Sequence, residues 1–308
     1  MSSRPLAFVY VVPVGPSALD RYRCADLLDS IRCCEPTAAH TYLVHDGHDE
    51  HALRRLVEVA GLAGSVVAVP RAARGLPWSG RVALGLAHVY RRVLRDFPGH
   101  SICRLDTDSL VVRPFAHAAA RTFAADPRAG LIGSNGLFGG ARHLGRWWTR
   151  QIRQFARRLI RSRRPPYFRQ NLVGANAVMR RHLLRAAALG YAPGAAVCGG
   201  GYLFRAEAIE AVFRLPGVDA LTRAGRISVA EEVFFSILIY AAGFRLEIQD
   251  QPGDAFGIAW RGLPGRSLPE VWERGNAIIH SVKTHGLFNE DASRAFFLRR
   301  RVGPNAAW

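Results

Sequence analysis

Between Leu6 and Val112, apolar runs of strand length alternate with stretches of helical periodicity, and this alternation restricts the fold more than any other feature of the chain. Leu6 to Val12 reads as a buried strand ending at Pro13, and Ser17 to Arg32 as a helix. Thr41 to His45 reads as a second strand closed by Asp46-Gly47, followed by a helix over Asp49 to Ala60. Ser65 to Val69 gives a third strand, Ser79 to Asp96 a helix, and Ser101 to Leu105 a fourth strand. Strands that take turns with helices build an α/β domain around a largely parallel sheet with helices on both faces. The second half is less regular. It reads as strands at Gly130 to Ser134 and Asn171 to Met179, then a glycine-rich turn over Ala196 to Phe204 leading into a helix over Ala206 to Phe213. A helix over Ile227 to Ala242 carries Glu231-Glu232, and a short strand follows at Arg245 to Ile248.

With 308 residues, 49% of them hydrophobic, the chain can bury a sizeable core. No apolar run reaches the length that spans a bilayer, and Met1 to Phe8 leads into the first strand without a small-residue cleavage site, so a cytoplasmic protein is expected. The five cysteines are odd in number and lack Cys-x-x-Cys spacing, which argues against a disulfide framework and a zinc site.

The fourth strand runs out at Leu105-Asp106-Thr107-Asp108. In an extended stretch Asp106 and Asp108 point the same way, and hard carboxylate oxygens suit Mg²⁺ or Mn²⁺. Ions of this kind keep waters and bridge to substrate phosphates, so an Asp-x-Asp here is a candidate diphosphate anchor; the plain alternative is a pair of solvated turn aspartates. Location separates the two. In open α/β sheets ligands bind outside the carboxyl ends of the strands, and Pro13 to Gly15, Asp46 and Asp106 all fall there.

The formal net charge of +18 raises the question of nucleic acid or an anionic membrane, yet the charge is unevenly spread. Ten arginines and no acid lie between Arg142 and Arg169. Leu144, Trp148, Ile152, Phe155 and Leu159 fall on helical spacing within that segment, which reads as a cationic amphipathic helix suited either to an anionic membrane interface or to packing on the core with a solvated basic face. Lys283 is the only lysine among 42 basic residues.

Taken together, these residues resemble the GT-A fold glycosyltransferases, which use nucleotide-diphospho sugars and a divalent cation. The likeness rests on Pro13 to Gly15, Asp46, Ser79 to Ala87, Leu105 to Asp108, Gly199 to Arg205, Glu231 to Phe235 and Ile279 to Lys283. It implies a Rossmann-like mixed, mostly parallel sheet flanked by helices over residues 1–285, with the basic insertion at about 142–169 and a helical tail over 286–308. It implies that Pro13 and Val14 border the nucleotide base, that Asp46 reaches base or ribose, and that Arg81 approaches ribose or diphosphate. Asp106 and Asp108 are similar to the family's acids at the metal, His280 to a third ligand for Mn²⁺ or Mg²⁺, and Lys283 to a cation beside the diphosphate. Gly200 and Gly201 are placed among the nucleotide-sugar contacts. Glu232, or its neighbour Glu231, is similar to the base that deprotonates the acceptor hydroxyl in inverting members; a retaining mechanism does without it. A carboxylate at a helix N-terminus is also stabilised there by the macrodipole alone.

The function so implied is hexosyl transfer from a nucleotide-diphospho donor, with uridine diphosphate the commonest nucleotide of the resembling family, to a hydroxyl acceptor on a glycan or a lipid-linked carrier. The segment 142–169 adds a peripheral place at the inner membrane face. Two rivals are weaker. A haloacid-dehalogenase-type phosphatase needs Thr or Val where Leu110 stands. A nucleic-acid- or anion-binding protein driven by arginine leaves the acids at the strand ends without a purpose, so no nucleic acid is expected.

Overall fold

The structure is a computed structural model that describes residues 6–45, 47, 49–70, 78–136, 150, 153, 154, 157, 173–223, 230–249 and 251–302. Ten strands are described: β1 (Phe8–Val14), β2 (His40–His45), β3 (Gly64–Ala68), β4 (Ser101–Leu105), β5 (Leu110–Val111), β6 (Ala129–Gly133), β7 (Gly201–Phe204), β8 (Arg245–Ile248), β9 (Phe256–Ile258) and β10 (Ile278–His280). The described helices are α1 (Ala18–Cys34), α2 (Glu50–Val59), α3 (Trp78–Asp96), α4 (Ala116–Ala125), α5 (Val173–Ala188), α6 (Ala206–Arg214), α7 (Val218–Arg223), α8 (Glu231–Ala241), α9 (Leu268–Glu273) and α10 (Glu290–Val302).

Seven strands form one sheet in the order β3-β2-β1-β4-β7-β6-β8. The β3-β2-β1-β4 half is parallel throughout, β7 runs antiparallel to both β4 and β6, and β8 returns parallel to β6. The alternation of elements implies a largely parallel sheet, and this is the mixed, mostly parallel sheet flanked by helices that the resemblance implies. Its two faces are both covered, as strand composition requires. Val9 and Val11 of β1 pack into one apolar cluster with α3 and α8, while Phe8, Tyr10, Val12 and Val14 pack into a second with α1 and α2. A smaller sheet, β5-β10-β9, has β10 antiparallel to β5 and parallel to β9, and it carries His280 back to the end of β4.

Local chemistry accounts for most element boundaries. Ser17 caps α1 with a capping box, accepting from the Asp20 N–H while Asp20 accepts from the Ser17 N–H. Asp49 caps α2 through the His51 and Ala52 N–H groups.

Three expectations change. Pro13 lies inside β1, opposite Val44, and does not end the strand; it falls beyond the last β1–β4 pair, Val11 with Arg104, where that edge of β1 has no ladder to feed. The run Gly201 to Phe204 is a strand, β7, and not only a turn before a helix. Residues 173–179, read as a strand, open helix α5. Met179, Leu183 and Ala186 form a buried stripe at helical spacing against α8, and the 3.6-residue period shows only beyond Met179. Of the segment 142–169, only Arg150, Arg153, Gln154 and Arg157 are described; the amphipathic stripe lies outside the described residues, as do Asp46 and residues 224–229.

Helix α10 docks on α1 through a buried ionic cluster. Arg23 donates to both Glu290 oxygens at 2.6 and 2.5 Å, and Arg294 and Arg301 reach Asp26 at 2.5 and 2.7 Å. The Glu290 N–H donates to Thr284 Oγ1 at 3.0 Å, so the helix also holds the segment that follows β10. Among the described residues no helix is long and apolar enough to cross a membrane.

Candidate metal and nucleotide-sugar site

Strand β4 ends at Leu105, and the chain turns at once: the Ser109 N–H donates to the Asp106 carbonyl at 3.0 Å. Asp106 and Asp108 therefore converge because they lie in one turn, not because an extended strand alternates its side chains. Gly200 supports the turn from behind. Its carbonyl accepts from the Asp106 N–H at 2.9 Å and from Ser109 Oγ at 2.6 Å. Its φ of 95° suits glycine alone, and a β-carbon there would stand 2.5 Å from Cγ of His280. Gly201 packs against Leu105 and Ile258. Among the described residues, Gly199 lines the cavity beside the Glu232 carboxyl group, and Gly200 and Gly201 lie behind it.

One ligand atom each from Asp106, Asp108 and His280 lies within 4.8 Å of the others. His280 Nδ1 donates to the Ala259 carbonyl at 2.9 Å, which turns Nε2 toward the acids, 3.3 Å from Asp108 Oδ2 and 3.9 Å from Asp106 Oδ2. That tautomer is the one that leaves Nε2 as a metal ligand. Two carboxylates and an imidazole fit a divalent cation that also accepts phosphate oxygens, and the set does not choose between Mn²⁺ and Mg²⁺. Ser281 Oγ donates to Asp108 Oδ2 at 2.6 Å and Lys283 Nζ lies 3.1 Å from the same oxygen.

Charge follows from this crowding. Burial raises the Asp108 pKa, but His280, Lys283 and Ser281 outweigh it and hold the group well below the usual carboxylate range. Burial lowers the His280 pKa, and the facing carboxylates Asp108 and Asp106 reverse that, leaving it above the ordinary imidazole value.

Two cavities meet at this point, and Arg104, Asp106, Asp108 and Lys283 form their common wall. The first, about 410 Å³, brings together Pro13, Val14, Arg81 and Thr107 with that wall. The second, about 480 Å³, is lined by His280, Gly199, Glu231, Glu232 and the segment Trp260 to Gly262. Of the described site residues named from the sequence, all but Gly200 and Gly201 line one of these two cavities.

Glu231 and Glu232 open α8 behind Ala230, which supplies no side-chain cap. They have different surroundings. Glu231 is fully enclosed and pairs with Arg104 at 2.9 Å. Glu232 is pushed well above the usual carboxylate range, first by burial and then by the Glu231 carboxylate beside it. Arg104 was not singled out from the sequence. It sits in mid-strand between Val11 and Tyr202, with one guanidinium nitrogen 2.8 Å from Asp106 and 2.9 Å from Glu231. The signal was its position two residues before Asp106, on the same face of β4.

No family model and no curated relative matches the chain. Solved structures do resemble it. The bifunctional glycosyltransferase WbbM is similar over 98% of this chain and 50% of its own, at 10% identity and a TM-score of 0.51. A mannosyltransferase from Pyrobaculum calidifontis, solved with GDP-Man and Mn²⁺, is similar over 80% of this chain and 55% of its own, at 18% identity and a TM-score of 0.45. The galactosyltransferase LgtC is similar over 98% of each chain, at 13% identity and a TM-score of 0.47. The chain thus spans about half the length of the first two. The fold is the GT-A fold, as the sequence resemblance implied.

Proposed function

We propose that the chain is a divalent-metal-dependent glycosyltransferase that moves a sugar from a nucleotide-diphospho donor to a hydroxyl acceptor. One observation carries the reading: Asp106, Asp108 and His280 converge at the carboxyl end of β4, beside the chain's single lysine, where two cavities meet on a wall that holds Asp106 and Asp108. The cavity with Pro13, Val14 and Arg81 takes the nucleotide, with Asp46 as a further contact, and the cavity with Glu232 takes the sugar to be moved and the acceptor. A uridine nucleotide is the first donor to try.

When bound to Asp106, Asp108 and His280, a divalent cation would neutralise the donor diphosphate and favour its departure. Lys283, already 3.1 Å from Asp108, meets the negative charge that develops on the same leaving group. Glu232 accepts the proton of the acceptor hydroxyl as its oxygen attacks the anomeric carbon and the bond from that carbon to the diphosphate breaks, so the configuration inverts. Both glutamates line the cavity, but Arg104 neutralises Glu231, and Glu232 has no ion pair among the described residues. A second reading, an arginine-driven binder of anions or nucleic acid, is disfavoured because carboxylates line both cavities. The basic segment 142–169 supports a peripheral place on an anionic membrane, where a lipid-linked acceptor would be met.

The test is hydrolysis of a panel of nucleotide-diphospho sugars, with chelator and then with Mn²⁺ or Mg²⁺ restored. Turnover is expected only with the metal, and Asp108→Ala is expected to lose it with an unchanged circular dichroism spectrum. Turnover that ignores both the chelator and the substitution rejects the proposal.

A further inference from the structure

The acceptor-side cavity has a second cluster that the transfer chemistry does not use. Trp260, Arg261 and His285 line it together with Glu232 and the metal-binding residues. The segment carrying Trp260 and Arg261 is held rigidly against β10: the Ala259 N–H donates to the His280 carbonyl at 2.9 Å, and the Ser281 N–H donates to the Gly262 carbonyl at 2.8 Å. Counting the bond from His280 Nδ1 to the Ala259 carbonyl, three hydrogen bonds fix residues 259–262 relative to the site. Gly262, with φ at 69°, has the His285 ring 3.2 Å from where a β-carbon would lie, so the imidazole sits over the residue next to Arg261.

Arg261 is exposed to the cavity, and its guanidinium lies over the Trp260 ring, 5.2 Å from the centroid. A cation–π contact of this kind orients a guanidinium without neutralising it. Among the described residues, Arg261 forms no ion pair with a carboxylate, whereas Arg104 is paired with Asp106 and Glu231, and Lys283 with Asp108. The diphosphate of a donor is already provided for by Lys283, Asp106 and Asp108 on the shared wall, with His280 beside them, so an oriented guanidinium facing the acceptor cavity is surplus to donor binding.

We propose that this cavity selects an acceptor bearing an anionic group, a carboxylate or a phosphate, which Arg261 and His285 hold while Trp260 orients Arg261. This rests on the glycosyltransferase reading and adds the acceptor's chemical class to it. Guanidinium pairs carboxylate and phosphate with two parallel hydrogen bonds, which makes Arg261 the discriminating residue.

The experiment first fixes the donor by metal-dependent hydrolysis, in which water is the acceptor. With that donor, transfer is measured to matched pairs on gluco, galacto and manno scaffolds: methyl uronide against methyl glycoside, and sugar 6-phosphate against the free sugar. The full chain is used as wild type, Arg261→Ala and Arg261→Lys. Wild type is expected to favour the charged member of the accepted pair in kcat/KM by at least about tenfold, the scale of a charge-assisted pair. Arg261→Ala is expected to bring that ratio close to one, Arg261→Lys to keep part of it, and neither to change donor hydrolysis. A preference for uronides over phosphates, or the reverse, identifies the group within the proposal. Four results overturn it: equal transfer to charged and neutral members by wild type, no transfer to any charged member, a preference that survives Arg261→Ala, or a raised donor KM in Arg261→Ala hydrolysis. Failure of hydrolysis itself, by contrast, strikes the underlying enzyme assignment.

Discussion

Replacing Arg104 by methionine tests whether the ionic core of the site is held together as the distances say. Methionine keeps an unbranched side chain of similar reach and can remain against the Tyr202 ring, over which the guanidinium now lies at 5.5 Å. What disappears is the partner of two carboxylates. Asp106 is one-third exposed and can turn to water, whereas Glu231 is 2% exposed and cannot. Removing one partner of a buried pair costs about 3–5 kcal/mol, because the other charge stays behind without compensation. Unfolding entropy of roughly 2.1 cal/mol/K per residue makes each kcal/mol worth about 1.5 °C in a chain of this size, so Tm should fall by about 5–8 °C. Calorimetry is the assay, run also on Glu231→Gln and on the double variant. In the double variant a neutral amide replaces the stranded carboxylate, and at least half of the lost stability should return. The same change takes positive charge away from Asp106, so Mn²⁺ should bind more tightly to Arg104→Met than to wild type, by isothermal titration. A Tm within 1 °C of wild type, or strictly additive losses in the double variant, would refute the claim that Arg104 neutralises Glu231.

Three further outcomes follow from the same geometry. Glu232 has its pKa raised above 4.5 in the folded chain, so the stability it contributes is complete below that value and drains away as pH rises through the folded one. The stability difference between wild type and Glu232→Gln should therefore shift in favour of the glutamine variant with rising pH, while wild-type kcat rises over the same interval and the variant loses transfer; a difference independent of pH speaks against a buried, proton-holding carboxyl group. Gly200→Ala puts a β-carbon 2.5 Å from the His280 ring at a φ of 95°, so it should cost about 1–3 kcal/mol from the backbone alone and weaken Mn²⁺ binding as well; unchanged metal affinity would mean that the ring has room to move. The chain should cosediment with anionic vesicles and be released by salt, through the arginines of 142–169, and equal recovery with neutral vesicles would remove that role from the segment.

What could be read from residue order alone was whatever depends on local pattern. The strand-helix alternation up to Val112 gave the parallel half of the sheet, because each strand there is a short apolar run bounded by a turn or a cap. The acids at Asp106 and Asp108 were legible for the same reason. The reason they converge was not, since the turn that brings them together depends on the Gly200 carbonyl, some ninety positions away in the chain. Long-range pairing also sets Glu231 apart from Glu232. Nothing in a Glu-Glu dipeptide says which carboxylate meets an arginine, but the antiparallel register of β4 and β7 encloses Arg104 beside Glu231, and Glu232 has no ion pair among the described residues. Likewise Trp260 and Arg261 sit in an irregular stretch with no motif, and come to line the second cavity because β10 lies parallel to β9 and because His280 and Ser281 bind the backbone of the flanking Ala259 and Gly262. The clasp of α10 on α1 has the same origin: Arg23 and Glu290 are distant in sequence, and their pairing, with Thr284 held by the Glu290 N–H, steadies the segment that bears Lys283. The carboxylates of the cluster are thus advertised locally, while the groups that pair with them, Arg104 in β4 and His280 in β10, reach them only through strand register.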